Sequence, residues 1–599
     1  MGLVFKRREG NKNSANRKYI RNHVPIVKNR RKNTWRAPVV LAFTAGFILA
    51  AALIYPHIAS HFNLQATQSD SGQSDLLTSY DWSHFAGAEQ ASDGVHISPL
   101  GRSIVNQDGT DGQPNPPVNL AGPHLSVSGD FSISASISTF NNVGNLQFYG
   151  QPPIIYDEWR YEPPSLKISQ SNNSVVADVW DGTSDTAVYH KVFAYAADLS
   201  QLLITHRGRR IYVIANGAQL GSFSDKDIFK SGTVWFGADA ALKTSGWTLK
   251  SLAAAPLNTG KVQVVAGPDL TQTHDDVIAL RNVASKQSRA INIGAAVAIN
   301  PLLTDSAYRN LAISQFDMWT PENEMKPQFI HPQANVYSFK EADLLVDTAL
   351  KNGIAVHGHT LVFGEANPQW MQAAPPDQRQ QIMTDHISTV IGHFKGRVAE
   401  WDVTDELLND DADGWRSTIW EQAMGIQTEF ATAFNTAHTA DPNALLCDNE
   451  YGLENSDDTW NFYFDFIKQE KAAGVPIDCV GFEAHVYDPS TDSFTAAQLE
   501  DHMQQLATIG IKSRVAELDV DGEDPTVQAN QYNAALQACL AVPTCIDFST
   551  WGVTDKYGST TNDHEYPLNY GNDLMWDTNL QPKLAFTTIQ HTLQTSATP

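Results

Sequence analysis

Cysteine is scarce in this chain, with four in 599 residues. That excludes a small disulfide-dense scaffold, and no Cys/His grouping has the spacing of a zinc site. No internal repeat is present, which argues against architectures assembled from tandem units. Basic charge is scarce over most of the length. Residues 1–36 hold 12 of the 41 Lys and Arg against one acid, Glu9, and the rest carries 29 basic against 65 acidic residues. So acidic a body repels phosphate backbones, and nucleic acid is not expected as a partner.

Long apolar runs free of charge are also missing, with one exception. Residues 37–56 carry no charge, a length that crosses a bilayer as a helix. Lys and Arg crowd its N-terminal side, which predicts a cytoplasmic head and an extracellular remainder. The apolar core is longer than that of a typical signal peptide, and His57-Ile58-Ala59-Ser60 is a mediocre cleavage site. The expectation is a single-pass signal anchor in the cell membrane; secretion after cleavage is the alternative.

The length calls for several domains. A basic head (1–36), the transmembrane span (37–56) and a polar linker (57–79) are followed by an all-β segment at 80–257. There Phe131-Ser132-Ile133-Ser134-Ala135-Ser136-Ile137 alternates with period two, and turns such as Asp181-Gly182 and Asn216-Gly217 recur. This predicts a β-sandwich. Residues 211–223 resemble the closing strands of concanavalin-like jelly rolls, so carbohydrate binding is one role open to it. Trp159, Tyr161, Trp180 and Trp235 are read chiefly as core aromatics rather than sugar platforms. A connector (258–274) leads to the last domain.

From 275 to 599 the pattern changes. Eight short apolar runs, at 291–296, 316–319, 354–356, 399–404, 445–447, 479–482, 514–516 and 548–550, alternate with helical stretches such as 342–351, 380–394 and 428–439. Eight strand–helix units predict a (β/α)8 TIM barrel. Most of the runs lead into polar residues at the same end, where barrel active sites form. Two glutamates stand out, Glu406 after Trp401-Asp402-Val403-Thr404-Asp405 and Glu517 after Arg514-Val515-Ala516. Paired carboxyls at strand ends are the apparatus of glycoside hydrolysis. Cys539 and Cys545 lie six positions apart, a spacing compatible with a small disulfide loop in an exported domain; Cys447 and Cys479 sit in apolar runs and are expected as buried free thiols.

Seven motifs occur in order: Thr-Pro-Glu-Asn-Glu-Met-Lys (320–326), Gly-His-Thr-Leu-Val (358–362), Trp-Asp-Val-x-x-Glu (401–406), Asn-Glu-Tyr (449–451), Gly-Phe-Glu-Ala-His (481–485), Glu-Leu-Asp (517–519) and Trp-Gly-Val-Thr-Asp (551–555). Together with the tail at 574–586 they resemble glycoside hydrolase family 10, the endo-β-1,4-xylanases. The resemblance implies a retaining glycosidase that needs no metal or organic cofactor. It makes Glu406 the acid/base and Glu517 the nucleophile, with His485, Asp519 and Asp405 supporting them. Glu322, Asn323, Lys326, Asn449, Glu483 and Trp551 would bind a polysaccharide or oligosaccharide. Cys539 and Cys545 match a pair often bridged in the family.

The chain departs from the family pattern around the sugar beside the scissile bond. Asp405 stands for the usual Asn, Glu483 for Gln, Phe363-Gly364 for Trp-His, Ala366 for Gln and Pro327 for Trp; Tyr557-Gly558-Ser559-Thr560 replaces a Ser-Trp. An ionised carboxylate only accepts hydrogen bonds where an amide also donates. The expected substrate is therefore xylan or a related β-linked polysaccharide. A membrane-anchored glycan-binding protein on an inactivated barrel is the alternative.

Overall fold

The computed structural model describes most of residues 74–596; residues 1–73, 559–571, 597–599 and several short stretches in between lie outside the description. The basic head and the expected span at 37–56 fall outside it. Among the described residues no helix is long and apolar enough to cross a membrane.

Most of the all-β segment forms two large antiparallel sheets. One runs, in spatial order, Ala218–Ser224, Arg210–Ala215, Gln201–Arg207, Phe131–Ser138, Trp247–Pro256, Gly94–Ile97 and Ala88–Ala91. The other runs Tyr189–Ala194, Ser174–Trp180, Ser165–Ser171, Gly144–Tyr149, Thr233–Ala240, His124–Ser128 and Lys261–Val265. Alternation drives the packing: Phe131, Ile133, Ala135 and Ile137 share one core with Leu166, Ile168, Val175 and Ala177 of the opposite sheet. Asn216 and Gly217, at φ 47° and 83°, make the two-residue turn joining Arg210–Ala215 to Ala218–Ser224, since both positions need the left-handed region.

The sandwich reaches beyond the limits read from the sequence. Lys261–Val265, expected as connector, pairs with His124–Ser128, and Ser74–Asp75, expected as linker, pairs with Trp247–Pro256. Trp235 is buried and stacks on His124 with ring centroids 3.9 Å apart. Trp180 is partly exposed; Trp159 and the side chain of Tyr161 lie outside the described residues.

The second domain is a closed parallel barrel. Its strands are β1 (Asn292–Val297), β2 (Met318–Pro321), β3 (Ala355–Gly358), β4 (Glu400–Asp405), β5 (Leu445–Glu450), β6 (Cys479–Phe482), β7 (Lys512–Val520) and β8 (Cys545–Thr550). Each pairs with the next, β8 pairs with β1, and β3 pairs with β4 through His357 and Glu400. The expected helices are present as Lys340–Lys351, Pro376–Phe394 and Ile426–Ala440. Several of the strands run further towards the mouth than the apolar pattern shows, β7 and β5 furthest. β7 continues to Val520, so Glu517 and Asp519 lie inside it rather than past its end, and β5 includes Asp448, Asn449 and Glu450.

The bottom of the barrel is filled with charge. Arg514 on β7, 1% exposed, donates to Asp547 Oδ2 at 3.0 and 3.3 Å and abuts His357 on β3. Asp402 on β4 lies 2.8 Å from His357 and 3.7 Å from Arg514, while Glu400 lies 3.1 Å from His357. Buried ions persist only when so paired.

Both cysteine pairs are bridged. Cys539–Cys545 closes the loop before β8, as the family resemblance implies. Cys447 and Cys479, expected as free thiols, form a second disulfide. They face each other in register on neighbouring strands β5 and β6, with Cα atoms 4.4 Å apart, and that adjacency is invisible across 32 positions of sequence. A loop of this length stabilises by about 3–4 kcal/mol through the unfolded chain. Replacing both by Ala is therefore expected to lower stability by that order in chemical denaturation under oxidising conditions.

Candidate active site

The strand ends converge at the C-terminal mouth of the barrel. Asn449 on β5 sits at the centre. Its Nδ2 donates to Glu517 Oε1 at 2.6 Å and to Asp405 Oδ1 at 3.0 Å, with Glu483 Oε1 at 3.4 Å. Gly481 makes room for it, since a Cβ there would fall 2.3 Å from Asn449 Oδ1.

Glu517 is gripped by two histidines. His485 Nε2 lies 3.4 Å from Glu517 Oε2, and His485 Nδ1 bonds Asp519 at 2.8 Å. His359 Nδ1 lies 3.0 Å from Asp402 and 3.8 Å from Glu517, and its Nε2 is 3.7 Å from Asp405. Burial pushes the Glu517 carboxyl up, but the His485 hydrogen bond and the charges of His359 and His485 outweigh it, leaving Glu517 below the usual glutamate value. The same carboxylates overcome the burial of His359 and raise it to about 9.

Glu406 follows β4 at φ 49°, in the left-handed region. For a non-glycine residue that costs on the order of 1 kcal/mol, and such residues cluster at functional sites. Ala484, at φ 62°, makes a similar corner between Glu483 and His485. Glu406 is the more open of the pair, with 25% of its side chain exposed against 8% for Glu517. Burial, then the charges of Asp405 and Glu365, push it up to about 8 against the pull of Arg416. Asp405 is itself raised to about 7, by burial first and by Glu517 and Asp402 against His359.

Arg416 is a member of the site that the sequence motifs do not mark. It reaches Glu406 Oε2 at 3.2 Å, Glu365 Oε1 at 2.5 Å and the Tyr451 hydroxyl at 3.1 Å. Gly364 permits this, because a Cβ there would fall 2.7 Å from Arg416 Cδ. One signal was available: Arg416 is the only Lys or Arg between Arg397 and Lys468. Glu450 has a structural task, accepting from the backbone N–H of Leu408 at 2.9 Å and Tyr451 at 3.2 Å, which fixes the loop after Glu406.

The remaining expected residues flank the pair. Glu322 and Asn323 are buried in the turn after β2. Lys326 from the same turn lies 5.6 Å from the Trp551 ring and 5.8 Å from Phe363. Trp551, mostly buried, meets His359 edge-on at 5.1 Å. Donor atoms of His359, Asp405 and Glu517 lie within 4.8 Å of one another, as do those of Glu483, His485 and Glu517. In each group the histidine lies against Glu517, at 3.8 Å for His359 and 3.4 Å for His485.

Two carboxyls pushed to opposite protonation states at the mouth of a (β/α)8 barrel define a barrel glycosidase. The chain belongs to Glycosyl hydrolase family 10, whose profile matches residues 279–592, and it is a glycosidase of that retaining family. Endo-1,4-beta-xylanase B of Thermotoga neapolitana is 32% identical over 328 residues, covering 53% of this chain and 92% of that protein. The Beta-1,4-xylanase of Dictyoglomus thermophilum is 35% identical over 315 residues, covering 49% and 86%. Among solved structures, xylanase 10B from Thermotoga petrophila RKU-1 in complex with xylobiose superposes with a TM-score of 0.51 at 31% identity, over 54% of this chain and 100% of that one.

Proposed function

We propose that this chain cleaves internal β-1,4 bonds of xylan or a related β-linked polysaccharide by double displacement, with Glu517 as nucleophile and Glu406 as acid/base. The observation that carries the reading is the split of the pair: Glu517 held as an anion by His485 and His359, Glu406 held protonated by burial and its acidic neighbours. In the first step a Glu517 oxygen bonds the anomeric carbon while Glu406 gives its proton to the departing glycosidic oxygen. In the second, Glu406 takes a proton from water, the water oxygen bonds the same carbon, and Glu517 leaves. Two inversions restore the configuration.

Glu322, Asn323, Lys326 and Trp551 are assigned to the sugar on the non-reducing side, and Asn449 and Glu483 to the sugar being cleaved. The xylanase relatives and the xylobiose complex support that substrate class. A glycan-binding role on an inactive barrel has no support in this geometry, since both carboxyls keep the partners their chemistry needs. The two disulfides favour a location outside the cytoplasm, with residues 37–56 as the anchor.

The test is to incubate the purified full chain with xylan and other β-glycans, counting new reducing ends and following the first anomer by proton NMR. Release of the β-anomer is expected. No new reducing ends on any substrate sinks the proposal.

The pH profile gives a further check. kcat/KM should rise as Glu517 ionises, below the ordinary glutamate range, and fall as Glu406 loses its proton near about 8. Arg416 lowers Glu406, so Arg416→Leu should move the high-pH limb upward, because the acid keeps its proton longer. An unmoved limb would remove Arg416 from the control of Glu406.

A further inference from the structure

Glu483 is the carboxyl with no partner of its own. The amide nitrogen of Asn449 faces three acid oxygens, at 2.6, 3.0 and 3.4 Å, yet carries two hydrogens. The two short contacts go to Glu517 and Asp405, and Glu483 has the long one. Its other oxygen, Oε2, lies 3.5 Å from His485 Nε2, whose single hydrogen is shared with Glu517 at 3.4 Å. The second nitrogen of His485 is committed to Asp519.

The charges around Glu483 leave it no better placed. Asp405 at the end of β4, Glu406 just after it, Glu450 on β5 and Glu517 on β7 all act against its ionisation, after burial itself. His359, the other cation nearby, stands against Asp402, Asp405 and Glu517. A buried carboxylate with neither its own donor nor its own cation is far costlier than a buried carboxylic acid. Asn449 Oδ1, also buried, has no hydrogen-bond partner among the described residues, so the pocket is short of donors and not of acceptors.

We propose that Glu483 stands in this pocket as a neutral carboxylic acid whose hydroxyl is the hydrogen-bond donor offered, beside Glu517, to the sugar being cleaved. The donor role rests on the hydrolase reading above; the protonation does not. Glutamine is the matching substitute, because it keeps shape, neutrality and a donor. Leucine keeps the approximate volume and removes the donor.

Difference infrared spectroscopy of the free wild-type protein against Glu483→Gln at about pH 6 tests the protonation. A protonated-carboxyl C=O band present in wild type and lost in Glu483→Gln is expected. Loss of a carboxylate band instead overturns the proposal. For the donor role, Glu483→Gln should keep kcat/KM on xylan within about tenfold of wild type, while Glu483→Leu loses about 100-fold or more. Glu483→Ala, with thermal melts of all three, separates this loss from misfolding. Equal losses in the folded Gln and Leu or Ala variants overturn the donor role. A wild type inactive on every glycan overturns the proposed function, and the infrared result stands apart from it.

Discussion

Glu517→Gln should abolish hydrolysis, with kcat on xylan falling on the order of 10⁴-fold or more, equivalent to about 5 kcal/mol of transition-state stabilisation. The substitution changes little else. The amide oxygen it introduces can still accept from Asn449, which reaches Glu517 Oε1 at 2.6 Å, so the centre of the site stays assembled. What disappears is the anion that His485 and His359 hold below the usual glutamate value. A neutral amide cannot form the glycosyl ester of the first step. Reducing-end release at saturating xylan measures the effect, and a variant that matches wild type would exclude Glu517 as nucleophile. Glu406→Gln should behave differently. General acid catalysis contributes roughly 10²–10⁴-fold, and a substrate with an acidic leaving group needs little of it. An aryl glycoside should therefore be turned over to its covalent intermediate by Glu406→Gln and not by Glu517→Gln.

The pair was legible in the sequence because strand periodicity and motif order both point to it. Apolar runs mark all eight barrel strands, since a strand buried on both faces reads as a continuous hydrophobic stretch. The same rule fails where the lumen is polar. β7 runs through Glu517 and Asp519 to Val520, and its charged residues look like a strand end when only the chain is seen. Contacts across the barrel are hidden for another reason. Arg416 meets Glu406 and Glu365 only because the loop after β4 folds back over Gly364. Cys447 meets Cys479 only because β5 and β6 are neighbours in that register. Period and composition describe one segment at a time, whereas these contacts depend on how segments are juxtaposed. The sandwich limits were misplaced for the same reason: Lys261–Val265 is a strand by virtue of His124–Ser128 beside it.

The second large effect is on stability, and it starts at the other end of the barrel. Arg514→Met should destabilise the protein by about 3–5 kcal/mol at neutral pH, because breaking a buried ion pair leaves its partner uncompensated. Arg514 donates twice to Asp547, and Asp402 lies 3.7 Å from it. Ser549 at 2.7 Å is the other donor on Asp547, too weak to replace a guanidinium. The sign with pH follows. In the wild type Asp402 is buried, which raises it, but His357, His359 and Arg514 hold it well below the usual aspartate range; its contribution is present above the unfolded value and lost as pH falls. Asp547 is already raised by burial despite Arg514. Without Arg514 both groups move up, so the variant should lose stability as pH rises through the unfolded aspartate value of about 4 towards the raised folded value. Its deficit should thus be smallest in acid. Arg514→Met combined with Asp547→Asn should recover part of the loss by removing the stranded charge. Denaturant titrations at two pH values measure all of this, and a single variant within about 1 kcal/mol of wild type at neutral pH would sink the argument. The network also leads upward. Asp402 lies 2.8 Å from His357 with one oxygen and 3.0 Å from His359 with the other, and His359 faces Asp405 and Glu517. The charge that holds the barrel together is therefore continuous with the charge that keeps Glu517 ionised, and Arg514→Met should shift the low-pH limb of kcat/KM as well as the melting temperature.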